Sequence, residues 1–112
     1  MSVTIIANLL KLVGTPRDGA LLRFGLGNEY LKQGELAQAA AQFQAALQHD
    51  PNYSAAWKLL GKALADSGRA REALDAYQRG AQVAEAKGDK QAAKEMAVFA
   101  RRIERSLGEA EG

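Results

Sequence analysis

The chain has 112 residues, of which 47% are hydrophobic and 25% are charged, and its formal net charge is +2. This length corresponds to a single domain, and so small a net charge indicates no class of partner. With no cysteine and one histidine, His49, the chain lacks the ligands of disulfides and of the usual zinc sites. No apolar run reaches the roughly 20 residues that a membrane helix needs. Because alanine is abundant and prolines are few, we expect an all-α, cytoplasmic protein without metal or cofactor.

Residues 1–14 form an apolar segment whose only charged side chain is Lys11. Its large apolar side chains are those of Ile5, Ile6, Leu9, Leu10 and Val13. We expect this segment to pack as a cap on the first helix of the main domain, residues 15–112. The alternative is a dimer contact, so the protein is expected to be a monomer or a weak homodimer. Thr15 and Pro16 predict the start of that first helix, because a capping hydroxyl followed by proline commonly begins one.

A register of 34 residues relates two copies of one pattern. The coinciding pairs are Leu26 and Leu60, Gly27 and Gly61, Gly34 and Gly68, Ala39 and Ala73, Phe43 and Tyr77, and Ala46 and Gly80. Chance rarely aligns so many small or apolar residues in one frame, so we infer an internal repeat. The first copy covers about residues 20–53 and the second about residues 54–87.

Each copy predicts a helix, a turn and a second helix. In the second copy the first apolar stripe consists of Trp57, Leu60, Gly61 and Leu64, and the next of Ala73, Tyr77 and Gly80. This spacing places each set on one helical face. Gly68 between them suits a left-handed C-cap. Pro51 separates the two copies, because proline cannot continue a helix.

A last helix is predicted at about residues 89–107. Its apolar stripe consists of Ala92, Met96, Phe99, Ile103 and Leu107. The helix takes the place of the first helix of a third unit, but it starts one residue later than the 34-residue step requires. Met96 stands where a full unit would have a small residue, which predicts a closing helix with no close partner behind it.

Over about residues 20–87 these motifs resemble the tetratricopeptide repeat (TPR) family. The resemblance implies a right-handed superhelix of helix-turn-helix units, here about two repeats followed by a C-terminal capping helix. It also implies a module for protein–protein interaction. Two residues depart from the family pattern: Arg23 replaces a large apolar residue, and Glu85 replaces a proline. The second departure predicts that its helix continues unbroken to about Lys87.

No group of residues predicts catalysis. Gly25, Leu26 and Gly27 begin like a dinucleotide-binding loop, but Tyr30 stands where the third glycine belongs and no strand precedes the motif. His49 lies near a helix end, where it is better explained by the helix dipole than as a catalytic base. We therefore expect a protein that is not an enzyme.

In the family that the chain resembles, the first helix of each repeat lines a concave face where partners usually lie. The resemblance implies a partner-binding groove formed by Leu21, Phe24, Asn28, Lys32, Lys58, Lys62, Lys90 and Lys94, with Ala55, Ala65 and Arg101 beside them. A row of lysines favours a protein or peptide with carboxylates, such as an acidic tail or a free C-terminus. Leu21 and Phe24 are expected to add an apolar pocket. The alternative is that these lysines form an ordinary solvated face.

The predicted groove also resembles, in part, the carboxylate clamp of TPR co-chaperones. Asn28, Lys90 and Lys94 match that clamp. Phe24 and Leu59 stand where the clamp has a lysine and an asparagine, so we do not predict a chaperone clamp.

Two other kinds of binding are disfavoured by the sequence. Nucleic-acid binding would depend on a basic set near the last helix: Lys87, Lys90, Lys94, Arg101, Arg102 and Arg105. Glu95 and Glu104 dilute this set, and no aromatic stacking surface accompanies it. Membrane-surface binding would depend on residues 5–13, which lack the basic face of surface-seeking helices.

Overall fold

The computed structural model describes residues 2–111, with side chains from Thr4 to Ala110. Within this range the chain forms helices and no strands. The helices are α1 (Ser2–Leu10), α2 (Ala20–Lys32), α3 (Leu36–His49), α4 (Ser54–Asp66), α5 (Ala70–Ala86) and α6 (Lys90–Glu111). Each helix packs against the next one in the chain, and the molecule measures 46 × 30 × 20 Å. The predicted all-α, solenoid-like architecture is confirmed.

Three of the helices end at a glycine in the same conformation. Gly34, Gly68 and Gly88 follow α2, α4 and α5 with φ angles of 75°, 78° and 81°, a region that glycine enters without a steric penalty. After Gly68 the next backbone N–H, that of Arg69, donates to the Leu64 carbonyl at 2.9 Å. This is the Schellman pattern, which pairs carbonyls that the helix end would leave unsatisfied. The predicted left-handed C-cap at Gly68 is confirmed.

The two helices of each repeat approach each other most closely at a glycine. A Cβ atom built on Gly27 would lie 2.5 Å from the Phe43 ring, and one built on Gly61 would lie 2.7 Å from the Tyr77 ring. Both rings are buried. Each ring therefore occupies the volume that a side chain at the glycine would need, and only glycine permits this separation of the helix backbones. The same contact recurs 34 residues later, as the repeat predicts.

The last two helices extend beyond the lengths of their counterparts. α5 has 17 residues and ends at Ala86, whereas α3 has 14. The continuation past Glu85 agrees with the prediction made from the missing proline. α6 has 22 residues and continues past the predicted end near residue 107. Gly108 does not stop it, because a single glycine weakens a helix without breaking it.

Met96 corrects one expectation. The sequence predicted a closing helix with no close partner behind this residue, but the Met96 side chain is fully buried. Its sulfur lies 2.5 Å from the position of a Cβ atom built on Gly80, and the Trp57 Cβ lies 2.6 Å from the same position. The prediction was wrong because the small residue that a close helix contact requires is on α5, at Gly80, and leaves room for the thioether of α6.

The first helix packs against the first repeat. Leu9 Cδ1 lies 4.0 Å from the position of a Cβ atom built on Gly25 of α2. This arrangement agrees with a cap, although Ile5 and Leu10 remain 47% and 44% exposed. A dimer contact through these two side chains therefore stays an alternative.

Thr15 and Pro16 do not begin a helix, contrary to the sequence prediction, because α2 begins only at Ala20. The Asp18 N–H donates to the Thr15 carbonyl at 3.0 Å. Pro16 therefore occupies the second position of a turn, where its fixed φ is also favourable. The Asp18 carboxylate accepts the Gly14 N–H at 2.9 Å and pairs with Arg23 at 2.9 Å. Arg23 thus replaces the expected apolar contact with an ion pair that holds the α1–α2 loop.

We expect the substitution Gly61→Ala to lower the free energy of unfolding by about 1–3 kcal/mol, as overpacking of a core usually does. The added methyl group would overlap the Tyr77 ring. Gly108→Ala is the matched control, because nothing lies within 4 Å of a Cβ atom at that helical position. That control should be neutral or stabilising by up to about 1 kcal/mol. Urea unfolding followed by circular dichroism measures both, and equal effects would contradict the packing argument.

We expect Asp18→Asn to destabilise the protein at neutral pH and to lose this effect in acid. Hydrogen bonds from the Arg23 side chain and the Gly14 backbone hold the pKa of Asp18 well below its ordinary value. Because the folded pKa is the lower one, the carboxylate stabilises the fold above the unfolded pKa of about 4. This stabilisation disappears as the pH falls through the folded pKa. Thermal unfolding from neutral to strongly acidic pH checks this, and a constant deficit at every pH would contradict it.

Candidate functional site

A cavity of about 240 Å³ lies between α4 and α6. Its lining residues are Lys58, Leu59, Lys62, Ala65, Asp66, Tyr77, Phe99, Arg102 and Ile103. Tyr77 is buried, and Leu59 and Ile103 are half-buried, so they form an apolar floor. The charged side chains stand around this floor and reach solvent. We call this cavity and its lining the α4–α6 groove.

Two aromatic rings and a guanidinium group form one side of the α4–α6 groove. The Tyr77 and Phe99 rings stack with centroids 5.2 Å apart and planes inclined by 26°. The Arg102 Cζ lies 5.8 Å from the centroid of the Phe99 ring, within cation–π range. Phe99 was predicted to belong to the core stripe of the last helix, but it is 36% exposed. Its ring lies at the edge of the core because Ala93, Met96 and Ala100 form the buried side of α6 instead.

The two lysines of the α4–α6 groove are already paired with carboxylates. Lys58 Nζ lies 2.8 Å from Glu95 Oε1 and joins α4 to α6, while Lys62 Nζ lies 3.3 Å from Asp66 Oδ2 within α4. The hydrogen bond from Lys58 lowers the pKa of Glu95, because it stabilises the charged carboxylate. Together with Arg102, the rim has three cations and two carboxylates. One net positive charge remains for a ligand, fewer than the row of lysines suggested.

The other predicted basic residues of α6 lie outside the α4–α6 groove. Lys90 forms an ion pair with Glu85 of α5. Lys94 lines a separate shallow depression with Ala81 and Gln82 of α5. Arg101 likewise lies against α5, in a neighbouring depression. The structure therefore does not bring these residues together with Lys58 and Lys62.

The four predicted groove residues of α2 do not line the α4–α6 groove either. Phe24 is engaged in packing: its ring stacks on Tyr53 at 4.7 Å and contacts Phe43 at 5.8 Å. Leu21 is 77% exposed and Lys32 pairs with Glu29 at 3.2 Å. Asn28 is half-buried on the same helix.

Sequence reasoning missed Phe99 and Arg102 as groove residues. The available signal was the one-residue offset of the last helix from the 34-residue register. Because each residue turns a helix by about 100°, such an offset changes which side chains face the neighbouring helix. The face of α6 toward α4 consequently contains Glu95, Phe99 and Arg102, whereas Lys94 and Arg101 face α5.

A larger depression of about 630 Å³ lies between α3 and α5. The aliphatic side chains of Leu47, Leu60 and Leu64 contribute to its lining. Oppositely charged pairs surround it, including Arg79 and Asp75, whose side-chain atoms lie 3.2 Å apart. This surface is a second place where a partner could be looked for.

Two further searches cover the part of the chain that the structure describes. Residues 2–111 contain no group of three or more histidine, aspartate or glutamate side chains that could hold a metal ion. Over the same residues, no helix combines the length and the hydropathy needed to cross a membrane.

Helix-turn-helix units with a recurring glycine–aromatic contact define a class of helical repeat protein, and comparisons with known proteins identify which one. A family model described as tetratricopeptide repeat matches residues 24–90. A TPR repeat-containing protein of Pseudomonas aeruginosa is 46% identical over 102 residues, which are 91% of this chain and 97% of that protein. The chain therefore belongs to the tetratricopeptide repeat family, whose members generally mediate protein–protein interaction.

Two other relatives extend the comparison. The solution structure of a Bordetella parapertussis protein has a TM-score of 0.76 and 39% identity, covering 91% of this chain and 89% of that one. The peroxisomal targeting signal receptor of Kluyveromyces lactis is 30% identical over 80 residues. Those residues are 70% of this chain but only 14% of the receptor. TPR units are a protein-interaction fold and not an enzyme class.

We expect the substitution Lys58→Glu to cost about 0.5–1 kcal/mol of stability, because it places a carboxylate beside Glu95 at a partly exposed site. Adding Glu95→Lys in the same chain should restore most of that loss by recreating the pair in reverse. Lys58→Gln removes the charge without repulsion and should cost less than Lys58→Glu. Urea unfolding of the four proteins measures the coupling, and strictly additive effects would contradict a Lys58–Glu95 contact.

Proposed function

We propose that this protein binds a segment of a partner protein, with the α4–α6 groove as the main contact. The preferred segment is an acidic stretch or a free C-terminus. The observation that carries the proposal is a cavity with an apolar floor and a cationic rim, formed between the first helices of successive repeats. The protein acts as a monomer or a weak homodimer, without catalysis, metal or cofactor.

The chemistry of the α4–α6 groove supports this proposal. Partner contacts that carry most of the binding energy are commonly aromatic or arginine side chains in a partly enclosed site. Phe99 and Arg102 are of this kind, and both line the cavity. A ligand carboxylate would be attracted by the single net positive charge of the rim. The family supports the same class of function, since one relative is named a receptor for a targeting signal.

A cytoplasmic site of action is part of this proposal, because a chain without cysteine has no disulfide that needs an oxidising compartment. Nucleic-acid binding receives no support from the placement of the basic residues. Lys94 and Arg101 face α5, Arg102 faces the α4–α6 groove, and Lys87 donates a hydrogen bond to the Asn52 carbonyl.

The test is a pull-down from a bacterial lysate with the wild type and a Lys58→Gln, Lys62→Gln variant, followed by mass spectrometry. Glutamine is preferable to glutamate, because glutamate would also repel Glu95 and Asp66. We expect at least one protein to be retained by the wild type and lost by the variant, because the rim would lose two of its three cations.

A Lys94→Gln, Arg101→Gln variant is the matched control, since it removes two cations from the side of α6 that faces α5. This control should retain the same proteins as the wild type. Circular dichroism should show all three proteins folded, because exposed ion pairs contribute only about 0–1 kcal/mol. Retention by the groove variant, together with loss by the control, would place partner binding elsewhere.

A further inference from the structure

The three cations of the α4–α6 groove differ in what they contact. Lys58 and Lys62 are each paired with a carboxylate of this chain. Arg102 instead lies over the Phe99 ring, and no carboxylate from Thr4 to Ala110 forms an ion pair with it. A guanidinium group presents planar donors that match both oxygens of a carboxylate. Arg102 is therefore the cation of the groove that can accept a ligand carboxylate without first losing a partner.

The size of the cavity limits what can enter it. At about 240 Å³, it is below the roughly 300–1,000 Å³ of typical small-molecule pockets. The apolar side chains of Leu59, Phe99 and Ile103 line it. Such a cavity suits one large apolar side chain better than a helix or a folded surface.

The corresponding junction of the first repeat is filled differently. Phe24 stands 34 residues before Lys58, at the equivalent position of the repeat. Its ring stacks on Tyr53 and contacts Phe43, so aromatic packing occupies the space beside α2. Lys58 instead pairs outward with Glu95. This difference explains why an apolar cavity with a cationic rim is found beside α4 and not at the preceding junction.

Building on the proposed function, we infer that the α4–α6 groove anchors the C-terminal residue of its partner. The apolar side chain of that residue enters the cavity against Leu59 and Phe99, and its terminal carboxylate pairs with Arg102. Both recognised groups must lie close together, because Arg102 lines the same cavity as the apolar side chains. An apolar C-terminal residue carries both groups on one Cα atom. A purely acidic segment would have to compete with Glu95 and Asp66 for lysines that are already paired.

The probe that tests this inference is N-acetyl-leucine, titrated into the full-length ¹⁵N-labelled protein and followed by amide chemical shifts. We expect millimolar binding with the largest shifts on α4 and α6 around Leu59, Phe99 and Arg102. N-acetyl-leucinamide lacks the carboxylate, and N-acetyl-aspartate lacks the apolar side chain. Each should bind about fivefold more weakly, the factor that corresponds to one exposed ion pair or a comparable apolar contact.

Arg102→Gln should weaken the binding of N-acetyl-leucine about fivefold, to the level of N-acetyl-leucinamide with the wild type. Arg101→Gln is the matched control, because this neighbouring arginine lies against α5, and it should leave binding unchanged. Equal binding of the three probes, an unaffected Arg102→Gln variant, no binding of N-acetyl-leucine, or shifts centred between α3 and α5 would each overturn the inference.

The outcomes separate this inference from the broader function. If N-acetyl-leucine fails but the lysine-to-glutamine variant loses a captured protein, the groove binds a partner through some other group. If N-acetyl-leucine binds as expected but no protein depends on Lys58 and Lys62, the anchor site exists and the lysines do not select its partner.

Discussion

The packing of an aromatic ring onto a glycine in the facing helix is the contact on which the rest of this structure depends. At Gly27 and Gly61 the missing side chain lets two helix backbones approach, and Phe43 and Tyr77 occupy the volume that this leaves. Protein interiors are packed too densely for such a contact to shift freely. It therefore sets how α2 lies on α3 and how α4 lies on α5.

The same contact connects the core to the candidate site. The Tyr77 ring lies against Gly61 on one helix and stacks on Phe99 of α6, and Phe99 in turn supports Arg102. The apolar floor of the α4–α6 groove is thus an extension of the repeat core to the surface. A side chain held by packing loses less freedom on binding a ligand, so the groove is pre-organised for recognition.

Electrostatics modify what the residue types alone suggested. Lysines on a helix face predicted an acidic partner, and Lys58 and Lys62 do line the groove. Glu95 is 37 residues from Lys58 in the chain, yet its carboxylate lies 2.8 Å from the lysine ammonium. A local pattern cannot reveal such a pair, because it depends on how α6 is placed against α4. The effective charge of the site is consequently a property of the packed helices.

The sequence alone determined the repeat, the glycine turns and the close helix pairs. These follow from local rules: a left-handed turn needs glycine, and a close crossing needs a missing side chain. The sequence also determined the continuation of α5 past Glu85. Only the tertiary structure decided that Met96 has a partner in Gly80, that Phe99 and Arg102 face α4, and that Lys94 faces α5. The reason is rotational: a one-residue offset turns a helix by about 100°, and packing against its neighbours selects the final orientation.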